Sequence, residues 1–222
     1  MTVDGTFNKG IIFLGMATIS GAIAWTITRT NPGIAMGLMM LGLIGALICA
    51  VVTTFKPQIA AVTGSLYCIL EGLVLGTVSS IVNAQYQGIV LNAVVITLGL
   101  LLLMFWLYKA RIVKATPTFV KVIMAATGAI ALAYIIEMVA RLFGAKDLLG
   151  LWSNGFLGIG ISLAIIAVAA FNFILDFARI EQGAEQGSPK FMEWYCAFGV
   201  MVTLFWLYFE VLRLLMKLQD RR

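Results

Sequence analysis

Residues 33–54, GIAMGLMMLGLIGALICAVVTT, run without a single charged side chain. As a helix at 1.5 Å per residue, that stretch is about 33 Å long, enough to cross a hydrocarbon core about 30 Å thick. Turn chemistry brackets it, with Asn31-Pro32-Gly33 in front and Lys56-Pro57 behind. Proline is well placed where a helix opens, because the N–H it lacks has no intrahelical partner there. The stretch reads as a transmembrane helix. Six more runs meet the same requirement, so the expected spans are Ile11–Thr28, Gly33–Thr54, Gln58–Val82, Gly88–Tyr108, Pro117–Phe143, Phe156–Ala178 and Trp194–Lys217. Asn83-Ala84-Gln85 and Ala115-Thr116-Pro117 supply further turns. The run after Lys9 reaches Arg29 without a small-residue cleavage site and therefore reads as a first span rather than a signal peptide. The expected fold is an all-α, seven-helix transmembrane bundle, with residues 1–222 as one domain.

Composition agrees. Hydrophobic residues make up 62% of the chain and charged ones 11%, whereas soluble domains hold about 45–50% and 25%. The formal charge is +5. In a soluble protein that would suggest nucleic acid; here the bases fall in loops and tails, where they orient the chain and meet lipid headgroups. Nucleic acid is therefore not an expected partner, and the lipid bilayer of a cell membrane is. Lys9, Lys56, Lys109, Arg111, Lys114, Arg179 and Lys190 collect on the face of the N-terminus, and Arg29, Arg141, Lys146, Arg213, Lys217, Arg221 and Arg222 on the other. The totals balance, and the acid-free loop Lys109–Lys114 favours an inside N-terminus.

The chain has no histidine. That excludes HExxH zinc sites, Ser–His nucleophiles and His-ligated haem together. A retinal protein would need a lysine in mid-span, and the last span has only Lys217 at its far end. An aspartyl intramembrane protease would need two membrane aspartates, and Asp176 stands alone. Cys49, Cys68 and Cys196 lie in apolar runs without a CxxC, which argues against a disulfide or zinc framework. No enzymatic activity and no resident cofactor are expected.

Four acids, Glu71, Glu137, Asp176 and Glu210, lie in or at the edge of the spans. A carboxylate in hydrocarbon is costly enough that it faces a partner, water or an ion. Glu71 is about 20 Å into its span, past the midplane, with Tyr67 one turn back on the same face as a hydrogen-bond candidate. Glu137 precedes Arg141 by four residues, the favourable spacing and direction for a local ion pair at a helix end. Asp176 shares a face with Asn172, and Arg179 is a competing local partner. Glu210 falls on a stripe with Cys196 and Thr203, which suggests a polar seam turned inward, while Arg213 offers local neutralisation. Gly33, Gly37, Gly42 and Gly45, and later Gly155, Gly158 and Gly160, have the spacing of close helix contacts. Two carboxylates brought together in a low dielectric cannot both ionise easily, so such a pair would share a proton or bind a cation such as calcium.

The end of the chain resembles a known family. Leu175-Asp176-Phe177-Ala178-Arg179-Ile180-Glu181, then Pro189-Lys190, then Leu207-Tyr208-Phe209-Glu210-Val211-Leu212-Arg213-Leu214-Leu215, are similar to the closing signature of the Bax inhibitor-1/YccA family, the transmembrane Bax inhibitor motif proteins. Glu71-Gly72-Leu73 with Gly76, and Gly144, resemble its bacterial YccA-like branch. The resemblance implies that six helices surround a central seventh. It also implies a pH-sensitive calcium leak controlled by a carboxylate dyad, whose matching positions are Asp176 and Glu210. Glu210 is one methylene longer than the family's aspartate, and the naive depth of Glu71 makes it the other candidate partner for Glu210. The expected function is a cation conductor for calcium or protons, gated by these carboxylates. The alternative is a non-transporting membrane regulator of a protease or a stress response.

Overall fold

The computed structural model describes residues 1–144, 150, 153 and 155–221, without the side chain of Leu142. Lys146 and Arg222, which enter the charge balance between the two faces, lie outside the described residues. Seven helices follow one another: α1 (Val3–Thr30), α2 (Ala35–Phe55), α3 (Ala60–Gln85), α4 (Ile89–Lys109), α5 (Pro117–Leu142), α6 (Phe156–Glu185) and α7 (Phe191–Gln219). All seven are long and apolar enough to cross a membrane. Short 3-10 turns at Pro32–Ile34 and Pro57–Ile59 lead into α2 and α3.

Four helices extend well beyond the apolar runs; α3 does so through Asn83-Ala84-Gln85, expected as a turn and found as its last three residues. α1 starts eight residues before Ile11, because Thr2 accepts a hydrogen bond from Gly5 N at 3.0 Å and so caps a polar first turn. The stretch 179–193, expected as a loop, is mostly helix. α6 ends where Gly187, at φ +65°, lets Gly187 N and Ser188 N bond back to Ala184 O (3.2 Å) and Gly183 O (3.0 Å). Pro189 then prevents continuation, and α7 opens two residues later.

The helices gather into two compact units, Met1–Val90 with Ala178–Phe205 and Leu91–Phe177 with Trp206–Arg222. In the first, α1 and α3 approach to backbone contact. A Cβ on Gly76 would fall inside contact distance of Gly21 O and 2.7 Å from Gly21 C. One on Gly72 would meet Ser20 Oγ and lie 2.5 Å from Ala17 O. α2 packs on α3 through Gly42 and Gly45, where added methyls would meet Leu70 and Val74, whereas Gly33 and Gly37 have nothing within 4 Å. Aromatic rings close the rest, with Tyr67 5.0 Å from Phe198 and Phe13 5.3 Å from Trp194 between centroids.

In the second unit α4, α5, α6 and the last half of α7 pack through rings and polar pins. Phe119 stacks edge-on to Phe171 at 5.7 Å, Phe105 on Phe177 at 5.5 Å, and Asn172 Nδ2 donates to Thr127 Oγ1 at 2.9 Å. α7 is the most enclosed helix of the seven, with 56% of its apolar window buried against 6% in α5.

Candidate gating site

Glu210 is 1% exposed on α7, in the second unit, and three groups satisfy its carboxylate. Tyr134 of α5 donates its hydroxyl to Oε1 at 2.5 Å, and Trp206 donates Nε1 to the same oxygen at 3.2 Å. Arg213, one turn on, donates Nη1 to Oε2 at 3.2 Å and to Oε1 at 3.3 Å. The same Nη1 reaches Tyr134 Oη at 2.5 Å, and the guanidinium lies 5.1 Å from the Tyr134 ring centroid. The phenol therefore accepts from the cation and donates to the anion. Local spacing builds the rest: residues 206, 210 and 213 follow one another at four and three positions, which stacks them on one face of α7.

The stripe continues to Lys217, 3% exposed, whose Nζ donates to Ser162 Oγ at 2.8 Å and Gly158 O at 3.0 Å on α6. Arg213 and Lys217, which the sequence places among the bases of a membrane face, are thus largely withdrawn into the helix packing. The upstream members of the stripe, Thr203 and Cys196, are also buried, and Thr203 donates to Gly199 O at 3.3 Å.

Glu210 is held by a phenol and a guanidinium rather than by a second acid. Asp176 is half-buried on α6, about two and a half turns before that helix ends at Glu185. Glu210 lies about five turns into α7. Counted outward from the turn between the helices, their levels differ by about 15 Å, for straight helices. Glu71 is half-buried on α3 in the first unit and makes no hydrogen bond or ion pair among the described residues. Tyr67 does not hydrogen-bond it; its ring packs on Phe198 and Phe205 instead. Asn172 is committed to Thr127 and to Val168 O. At the far end of α5, Arg141 Nε lies 3.4 Å from Glu137 Oε1, with Glu137 2% exposed.

Sequence reasoning overlooked Tyr134 and Trp206, which look like ordinary span aromatics. It also overlooked Glu193. That side chain is 2% exposed in the first turn of α7 and accepts from Thr2 N (2.9 Å), Thr2 Oγ1 (3.2 Å) and Lys9 Nζ, all in the first unit. The signal available was weak: an acid beside Trp194 at a helix start, 184 residues from the base that it meets.

Among the described residues no three Cys, Asp or Glu side chains converge as a metal site. Both oxygens of Glu210 accept from Arg213, and Oε1 accepts from Tyr134 and Trp206 as well.

No curated protein and no solved structure matches the chain. A family model described as Bax inhibitor 1 like does, over residues 1–220. That match takes in all seven helices and the whole of the Glu210 stripe, and the chain therefore belongs to the Bax inhibitor 1 like family of multi-pass membrane proteins.

Proposed function

We propose that this protein is a pH-responsive cation leak of a cell membrane, passing calcium as cargo, and that the clamp of Tyr134 on Glu210 and Arg213 holds it closed. The observation that carries the reading is the bridging phenol, which ties α5 to both members of a buried ion pair on α7. Such a clamp has two states. With Glu210 ionised, Arg213 and Tyr134 are both bound. With Glu210 neutral, the charge that Arg213 pairs with is gone and the clamp loosens. The other charged groups described within this unit are Glu137 with Arg141 on α5, Asp176 on α6, Lys217 on α7, the bases Lys109, Arg111, Lys114 and Lys121 around the end of α4 and the start of α5, and Asp220 and Arg221 after α7. Glu71, which makes no hydrogen bond or ion pair among the described residues, is an acid that can attract a passing cation; Glu210 becomes available to one only after Arg213 leaves.

A non-transporting regulator of a membrane protease or stress response is the second reading. It is favoured by Arg213 and Lys217, whose positive charges lie along the same stripe and oppose a cation path at that end of α7. Calcium uptake by liposomes containing the purified chain, measured across pH, separates the two. The leak reading expects flux that rises on acidification, and Glu210→Gln should flatten that rise while keeping the fold, because the amide preserves volume and its carbonyl still accepts from Tyr134 and Trp206. Tyr134→Phe should raise flux at neutral pH by loosening the clamp. Absence of flux at every pH in the unaltered protein would leave the regulatory reading.

A further inference from the structure

Between Glu71 and Glu137 the chain contains no acid, and its only bases are Lys109, Arg111, Lys114 and Lys121. All four are exposed and within the second unit: Lys109 ends α4, Arg111 and Lys114 lie in the turn that follows, and Lys121 is in the second turn of α5. The turn is built in an unusual way. α4 closes with Arg111 N bonded to Tyr108 O (3.0 Å) and Ile112 N to Leu107 O (3.1 Å). That pairing puts the residue after the cap in the left-handed region, a place normally taken by glycine. Here it is Arg111, at φ +57°, the only non-glycine residue with positive φ among the described residues. Glycine would adopt this conformation without the steric penalty that a Cβ brings. An arginine held there signals that the side chain itself is used.

Apolar side chains adjoin the bases. Ile112, the next residue, is 61% exposed instead of folding back on the helix, and Trp106 is 58% exposed one turn before the helix ends. A soluble acidic partner would have no call for these groups. A membrane surface does, because an indole and an aliphatic side chain insert at headgroup depth while lysine and arginine meet phosphate above them. We propose that the α4–α5 turn is a docking site for anionic phospholipid headgroups, with Lys109, Arg111, Lys114 and Lys121 as the phosphate-binding groups and Ile112 and Trp106 as the anchors.

The test uses the full chain in nanodiscs of phosphatidylcholine with and without phosphatidylglycerol, reading retained lipid by native mass spectrometry and unfolding by temperature. Phosphatidylglycerol should be retained in preference to phosphatidylcholine, and Lys109→Gln, Lys114→Gln and Lys121→Gln should each lower that preference by about fivefold, the equivalent of one base near an anionic surface. Arg111→Gly separates charge from folding. It should raise the unfolding temperature in pure phosphatidylcholine by about 2–4 °C as the backbone strain is relieved, yet lose lipid preference as the lysine variants do. Lys56→Gln, an exposed base at another turn, should leave the preference unchanged. Equal retention of the two lipids, a preference untouched by the four variants, or an equal loss in Lys56→Gln would overturn the assignment.

Discussion

Arg213→Met should be among the most damaging single changes in this protein at neutral pH, and much less damaging in acid. Glu210 is 1% exposed, and among the described residues Arg213 is the only cation bound to it. Methionine preserves most of the side-chain length but leaves a buried carboxylate with only Tyr134 and Trp206 as donors. Breaking a buried pair by removing one partner costs about 3–5 kcal/mol, which for a chain of this size corresponds to an unfolding temperature lower by about 10 °C. A proton on Glu210 removes the stranded charge, so the deficit should shrink as the buffer is acidified. The double variant Arg213→Met with Glu210→Gln removes both charges and should recover most of the lost stability, since neutral replacement of a whole buried pair is close to neutral in energy. Thermal unfolding of the two variants in nanodiscs, at neutral and acid pH, checks this. If the double variant is as unstable as the single one, the pair is not the unit that matters.

Gly76→Ala should be comparably disruptive, by a wholly different route. The added methyl would fall on the backbone of Gly21, and no side-chain rotation can relieve that, so α1 and α3 must move apart. Overpacking of this kind costs about 1–3 kcal/mol, and the close approach that it disrupts is one on which membrane helices depend, because apolar burial does not drive association between helices already in lipid. Gly72→Ala, against Ala17 and Ser20, should behave in the same way. Gly99→Ala and Gly128→Ala are the controls: among the described residues nothing lies within 4 Å of either methyl, and alanine gains about 1 kcal/mol over glycine in a helix interior. These two should unfold at or above the temperature of the unaltered protein. A Gly76→Ala variant as stable as Gly99→Ala would mean that the α1–α3 contact is looser than the coordinates place it.

The two predictions differ in how much of them could be read beforehand. Arg213 was legible as a local neutraliser of Glu210 because residues three apart share a helix face whatever the rest of the chain does. Tyr134 was not, since it stands 76 residues away and its approach depends on how α5 and α7 are rotated. The glycines show the same division. The second span advertises small residues at 33, 37, 42 and 45, yet only the latter pair lies under a neighbour, while the tightest approaches between α1 and α3 involve Gly21, Gly72 and Gly76. Spacing tells where a close approach is permitted; the crossing point of two helices decides where it occurs.

Local chemistry accounts for what the sequence by itself determined here: seven apolar runs of membrane length, the helix starts marked by Pro32, Pro57 and Pro117, and the presence of Glu71, Glu137, Asp176 and Glu210 in or at the edge of the spans. Each follows from residues within a turn or two of one another, through helix rise, transfer energy and turn geometry. Helix ends were less secure, because polar first and last turns become helical when distant groups satisfy them. Glu193 is held by Lys9 across 184 residues of sequence and lies inside α7, although the apolar pattern starts the span at Trp194. Only the tertiary structure decided that Glu210 binds a phenol and a guanidinium, that Lys217 turns inward to Ser162, and that Arg111 occupies a glycine's conformation. Those outcomes depend on helix rotation and crossing, to which a periodic apolar sequence is nearly indifferent: in lipid, most faces of such a helix are equally soluble, and a few polar and glycine contacts choose among them.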